Sequence, residues 1–235
     1  MSIEAVVMAA GEGRRMRPLT ERWAKPVLPI DGRPVIGTLL HDLAEAGVER
    51  ATVVIGHLAE QVEALVGDGS AFRLDVAFVR QPEPLGSADA VLRAVRAGAR
   101  PPIVVAAADT VFAPGDVRRF VIESAGAAGA IAGRREPPPS PPHRWPLRIA
   151  AGRVERVLDD DPLNPVGGAP LWLLGPAVAA LLDPLPGKPP YELSTVFQLA
   201  IDSGEAIAGI ELSRTRDLTA PLDLVRENFP YLEAT

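Results

Sequence analysis

Cysteine is absent from these 235 residues, which excludes disulfides and thiolate metal sites. Histidine is scarce: His41, His57 and His143 lie far apart with no ligand spacing, so any metal is expected on carboxylates. An excess of positive charge is missing too. The net charge is -6, which argues against general binding to nucleic acid or to acidic membranes. No stretch approaches ~20 uninterrupted apolar residues, so no transmembrane helix is expected. Glu4 interrupts a very short apolar run at the N-terminus, so no signal peptide is expected and a cytoplasmic location follows. Aromatics make up 5% of the chain, and no internal repeat is visible. Lysine is nearly missing, since of 24 basic residues only Lys25 and Lys188 are lysine. Where arginine is the default cation, a lysine suggests that a slim point charge on a flexible stem is wanted.

What is present is an ordinary globular mix, 47% hydrophobic and 23% charged, long enough for one large core. Its most informative stretch runs Gly11-Glu12-Gly13-Arg14-Arg15-Met16-Arg17-Pro18-Leu19-Thr20 and closes at Ala24-Lys25-Pro26. Two glycines let the backbone approach a ligand. Arg14, Arg15, Arg17, Arg22 and Lys25 put five cations within twelve residues, a combination suited to a polyphosphate. It is not a P-loop, which needs four residues between its glycines and then Gly-Lys-Ser/Thr. It is a poor dinucleotide fingerprint, because Met16 holds the third glycine position.

The first half alternates apolar strands with amphipathic helices. Strands are expected over 5–10, 51–55, 74–79 and 103–108, and helices over 34–46, 58–66, 87–97 and 116–124, with Ser87 as a helix cap. Continuous apolar strands between such helices imply a parallel sheet covered on both faces. In such sheets ligands bind at the carboxyl ends of the strands. The loops 11–25 and 81–87 and Asp109 all fall at those ends. The second half is less regular. A proline-rich extended segment over 136–146, a hairpin over 147–158 turning at Gly152-Arg153, strands over 168–174 and 206–212, and helices over 193–203 and 222–228 are expected. Asp159-Asp160-Asp161 reads as a solvated loop rather than a metal cluster.

The glycine–arginine loop and its Lys25-Pro26 resemble the signature of the nucleotidyltransferases that activate sugar 1-phosphates: Gly-x-Gly-Thr-Arg-Leu-Arg-Pro-Leu-Thr, a short spacer, then Pro-Lys-Pro. The resemblance runs in order along nearly all of the chain and thins after Gly133. It implies an α/β, Rossmann-like fold with a mostly parallel central sheet, helices on both faces and a small sugar-binding flap. One domain over 1–235 is expected, with a nucleotide-binding half (1–133) and a sugar-binding and closing half (134–235).

The resemblance also implies the reaction: a sugar 1-phosphate oxygen attacks the α-phosphorus of a nucleoside triphosphate, giving an NDP-sugar and pyrophosphate. Arg15 and Lys25 would be the catalytic cations. The backbone of Ala10, Gly11 and Gly13, with Gln81, Gly86 and Ser87, would bind the nucleotide. Gln81 would offer a donor and an acceptor to a pyrimidine edge, favouring UTP or dTTP. Asp109, and Asp217 in Arg216-Asp217-Leu218-Thr219-Ala220-Pro221, would hold Mg²⁺. Thr219 and Ala220 stand where the family carries Gly and Thr.

Gly168 and Glu192 would face the sugar phosphate, with Trp172 read as core. Asp160-Asp161-Pro162 stands where many members carry Glu-Lys-Pro, so Arg214 or Arg216 would supply the charge. Glucose 1-phosphate or N-acetylmuramic acid 1-phosphate would be an acceptor. Alternatives are a phosphocholine-type cytidylyltransferase and a non-catalytic nucleotide- or sugar-phosphate-sensing subunit. No C-terminal β-helix is expected. Neither is a membrane or nucleic-acid partner, and the assembly would be a monomer or small homo-oligomer.

Overall fold

The computed structural model describes residues 3–135 and 145–229. The proline-rich segment expected over 136–146 lies outside them, apart from Trp145 and Pro146, and so does His143.

The first half supplies β1 (Glu4–Ala9), the short β2 (Pro29–Ile30) and β3 (Arg33–Pro34), α1 (Val35–Glu45), β4 (Arg50–Ile55) and α2 (Ala59–Val66). It continues with β5 (Asp75–Arg80), α3 (Ser87–Arg96), β6 (Ile103–Ala107), β7 (Thr110–Val111) and α4 (Asp116–Glu123). The second half supplies β8 (Gly129–Arg135), β9 (Leu147–Ala150), β10 (Arg153–Val157), β11 (Val166–Leu174), α5 (Pro176–Ala180) and α6 (Leu193–Asp202). It closes with β12 (Ile207–Leu212), β13 (Arg216–Asp217) and α7 (Pro221–Asn228).

Nine strands form one sheet in the order β5-β4-β1-β6-β11-β8-β12-β10-β9. β4, β5 and β6 run parallel to their neighbours around β1, and β12 runs parallel to β8. β11 is antiparallel to both β6 and β8, which brings its start to the same sheet edge as the ends of β6 and β8. The β9–β10 hairpin extends the sheet beyond β12.

Side chains alternate between the two faces, as the twofold period of a strand requires. Val7, Val53, Val104 and Leu171 join one core with Ile36, Leu39, Leu40 and Leu43 of α1, Val62 of α2 and Phe120 of α4. Val6, Val54, Val105 and Trp172 join the other with Val91 of α3 and Val196 and Phe197 of α6. Burying each large aliphatic side chain contributes about 1.5–3 kcal/mol.

Three local expectations are corrected. The hairpin turns at Ala151-Gly152 rather than Gly152-Arg153, with φ of 47° and 73° at its two central residues, the left-handed pair that a tight two-residue hairpin uses. Ser87 is the first residue of α3 and does not cap it; Gly86 holds the cap position without a side-chain bond, and the Ser87 hydroxyl is engaged elsewhere. Asp159 is buried at 5% exposure, ion-paired to Arg148 at 2.9 Å and bonded by Asn164 at 2.8 Å, so it is not part of a solvated loop. Asp161 accepts from the Leu163 amide and Asp160 lies near Arg156, so the three acids face different partners.

β8 has no counterpart in the expectations. Its stretch Gly-Ala-Ile-Ala-Gly has only one β-branched residue and gives little strand signal. Packing explains the small residues. A Cβ on Gly129 would stand 3.0 Å from Phe197 and Val178, and one on Gly133 would stand 2.9 Å from Ile149.

Candidate active site

The chain leaves β1 into the glycine–arginine loop, and interactions from several directions fix that loop. Gly13 has φ 60°, and its carbonyl accepts from Met16 N at 2.8 Å and from the Thr20 hydroxyl at 2.9 Å. Met16 is buried beneath it. His57 bonds the Thr20 carbonyl at 2.7 Å. Gln61 of α2 accepts from Ala24 N and donates to Arg22 O, both at 2.8 Å, which sets the backbone just before Lys25. A Cβ on Gly11 would meet nothing within 4 Å, so the backbone there borders open space.

That space is a cavity of about 400 Å³ bordered by Ala10, Gly11, Gly13, Gln81 and Gly86. A second cavity of about 640 Å³ adjoins it, bordered by Gly168, Glu192, Asp217 and Trp172. Arg15, Lys25, Ser87 and Asp109 border both. Arg214 and Arg216 apart, every site residue named from the sequence therefore lies on one cavity or the other. Arg214 and Arg216 lie on neither. Arg216 is tied to Asp31 at 2.9 Å and to Glu227, and the Asp31 contact raises its already high pKa. It is not available as the acceptor's cation.

The basic residues of the loop divide by partner. Arg14 pairs with Glu12 at 2.8 Å and Arg17 approaches the same carboxylate at 3.5 Å. The Arg14 contact holds the Glu12 carboxyl below its usual range. Lys25 pairs with Asp109. Arg15, exposed and bordering both cavities, makes no ion pair among the described residues.

Asp109 lies two residues past the end of β6. β7 pairs with β13 in the register Thr110↔Asp217, which sets the two aspartates beside each other across 107 intervening positions. Thr110 donates to Asp217 Oδ1 at 2.7 Å, and its hydroxyl lies 3.4 Å from Asp109 Oδ1. Two carboxylates on one cavity are hard oxygen donors of the kind Mg²⁺ takes together with phosphate oxygens and water. The donor set fits. Among the described residues no group of three or more acids or histidines could hold a metal alone, so further ligands would come from phosphate and water.

Gln81 is 6% exposed at the end of β5. Its Nε2 donates to Gly86 O at 3.0 Å and to Asp89 Oδ2 at 2.8 Å. Both amide hydrogens are spent within the protein, which corrects the expected donor-plus-acceptor reading. Only Oε1 can address a ligand, as an acceptor.

The 81–87 loop is clasped to the segment before α6. Gly86 has φ 107°, and a Cβ there would fall 2.2 Å from Tyr191 O. Tyr191 N donates to Leu85 O at 2.7 Å, and Ala88 N donates to Tyr191 O at 2.9 Å. The Ser87 hydroxyl donates to Glu192 Oε2 and accepts from Leu193 N at 2.8 Å. Sequence reading missed Thr110, Arg134 and Trp145 on these walls. Pairing of β7 with β13 and of β8 with β11 brings Thr110 and Arg134 into place, the Trp145 carbonyl accepts from Gly168 N, and no local spacing announces them.

Comparison with known proteins bears on the family and the fold. Residues 4–139, more than half of the chain, match the nucleotidyl transferase family. A glucose-1-phosphate thymidylyltransferase of Streptomyces griseus is 40% identical over 90 residues, 38% of this chain and 25% of that protein. A CMP-5'-(3-aminopropyl)phosphonate synthase of Streptomyces rubellomurinus is 34% identical over 165 residues, 69% of this chain and 24% of that protein. The matched stretches thus span about a quarter of these curated relatives. A UDP-glucose pyrophosphorylase complexed with UDP-glucose superposes with a TM-score of 0.84 at 17% identity, covering 100% of both chains, a likeness of fold. Among the described residues no helix is long and apolar enough to cross a membrane. With that family matched over more than half of its length, the chain belongs to the nucleotidyl transferase family.

Proposed function

We propose that this protein transfers a nucleotidyl group from UTP or dTTP to a sugar 1-phosphate, giving an NDP-sugar and pyrophosphate. The observation that carries this reading is the wall common to both cavities, where Arg15, Lys25 and Asp109 meet. A triphosphate in the first cavity and a phosphomonoester in the second would face each other across that wall. The acceptor oxygen forms a bond to the α-phosphorus. The bond from that phosphorus to the bridging oxygen breaks, and its electron pair leaves with pyrophosphate. No protein nucleophile is needed; the barrier lies in bringing two polyanions together.

Lys25 would move from Asp109 to the reacting phosphates, and Arg15 would offset the charge of the departing pyrophosphate. Asp109 and Asp217 would hold Mg²⁺, which when bound neutralises phosphate charge. Open space at Gly11 lets the backbone border the triphosphate. Gln81 Oε1, fixed as an acceptor, suits the N3–H of uracil or thymine. Glu192 would accept sugar hydroxyls. Such substrates belong to the cytoplasm. The test is pyrophosphate release with Mg²⁺ across pairs of nucleoside triphosphates and sugar 1-phosphates, with Lys25→Ala as control. Release that needs both substrates and vanishes in the control supports the reading; nucleotide binding without release from any pair overturns it.

One observation favours a second reading. Trp145 and Trp172 meet in the acceptor cavity, ring centroids 5.4 Å apart, in the cavity that also holds Glu192. Aromatic faces with a carboxylate suit an ammonium group, as a phosphocholine-type cytidylyltransferase would need. CTP with phosphocholine in the same assay separates the two.

A further inference from the structure

We infer that Asp89, held by Arg93, is the positioning residue that sets which base the nucleotide cavity accepts; the inference rests on the base-reading role proposed for Gln81. A glutamine amide presents an acceptor at one end and two donors at the other, and a half-turn of the amide exchanges them. Base choice at Gln81 therefore depends on what fixes that half-turn.

Two acceptors fix it. Gln81 Nε2 donates to Gly86 O at 3.0 Å and to Asp89 Oδ2 at 2.8 Å. Turned over, the amide would set Oε1 against a carbonyl and a carboxylate, with no hydrogen to share. The carboxylate is the stronger holder, because a hydrogen bond to an ionised group is about twice as strong as one between neutral groups. Oε1 itself has no partner among the described residues, on a side chain that borders the first cavity.

The fold places Asp89 for this. It lies in the first turn of α3, directly after the 81–87 loop, and is 6% exposed. A carboxylate buried so far needs a cation beside it. Arg93, one turn further along α3, donates from Nε to the same Oδ2 at 2.7 Å. One carboxylate oxygen thus takes bonds from both Arg93 and Gln81. Neither Asp89 nor Arg93 borders either cavity, so both act through Gln81. An outward Oε1 accepts from the N3–H of uracil or thymine, whereas cytosine carries a lone pair at that ring position. An outward Nε2 would reverse the choice.

The experiment measures the Kd of UTP and of CTP for the full chain by calorimetry, in wild type, Asp89→Ala, Asp89→Leu and Asp89→Asn, and reads the ratio of the two. Wild type is expected to favour UTP by at least about tenfold. Asp89→Ala should lower that ratio on the order of tenfold, the loss of a hydrogen bond to a charged group. Asp89→Leu should do the same while keeping the shape of the side chain, so it serves if the alanine variant fails to fold. Asp89→Asn can set its Oδ1 where Oδ2 stands, accept from both Gln81 and Arg93, and keep most of the ratio.

A merely structural role would weaken both nucleotides alike and leave the ratio unmoved. An alanine or leucine variant that keeps the wild-type ratio therefore overturns the inference, and so does an asparagine variant that loses it as fully as alanine. A wild type that binds both nucleotides equally, or favours CTP, overturns the inference together with the proposed base. If wild type favours UTP through Asp89 but releases no pyrophosphate with any acceptor, Asp89 keeps its role and the proposed transfer fails.

Discussion

Glycines and alanines recur on the first cavity, through Ala10, Gly11, Gly13 and Gly86, while large side chains recur on the second, the proposed acceptor cavity, through Arg134, Trp145, Trp172, Glu192 and Asp217. The first comes from loops that each follow one parallel strand. The second is assembled from β8, β11 and the segments before α6 and around β13. Phosphates are common to every nucleotide, so a backbone cradle can stay constant. An acceptor is recognised by its particular groups, and side chains can change with it.

Four substitutions test this division, from the largest expected effect to the smallest. Lys25→Ala acts at the common wall and should lower kcat/KM by about 10²–10³-fold, the scale of losing one charge-stabilising group, read by pyrophosphate release. Gly86→Val attacks the clasp between the two sides. With Tyr191 O 2.2 Å from the added carbon and φ at 107°, unfolding free energy should fall by about 2–4 kcal/mol in denaturant titration. Both substrates should weaken together; a variant that weakens only one would break the comparison.

Asp42→Asn lies outside both cavities and separates stability from binding. Burial, with the Glu45 charge beside it, pushes the Asp42 carboxyl from 3.8 up to about 6. The folded state therefore holds more protons than the unfolded chain between those values, and wild-type stability falls as pH rises through that window. Asp42→Asn should be more stable than wild type by about 1–2 kcal/mol at neutral pH, with the difference gone below about pH 4. Substrate affinities should not move. Glu192→Gln should raise the acceptor KM about fivefold, the loss of a charged hydrogen bond, with the KM for UTP unchanged; equal changes in both would deny the two sides separate roles.

The first cavity was legible because its residues are local. Gly11, Gly13, Arg15 and Lys25 lie within fifteen residues and share one cavity in the fold. The strands β1, β4, β5 and β6 read as apolar runs between amphipathic helices. Asp109 was visible as a polar residue at a strand end. The acceptor side was less legible because its register is long-range. Arg134 sits on a strand whose small residues hide its β character, and no motif marks it. Arg216 has the right residue type near Asp217, yet Asp31, 185 positions away, captures it. Gln81 was legible as a cavity residue, but not which of its two polar atoms faces outward, since Asp89 and Gly86 decide that.

The clasp between the 81–87 loop and Tyr191–Leu193 has a consequence for how such a protein diversifies. The loop that carries Gln81 and the segment that carries Glu192 are joined by main-chain bonds from Leu85 and Ala88 to Tyr191, so a shift of one segment moves the other. On the roles proposed for Gln81 and Glu192, choice of base and choice of acceptor are then not independent inheritances. A lineage that exchanged its acceptor through this segment would drift in base preference as well, and the two specificities would be expected to travel as a pair.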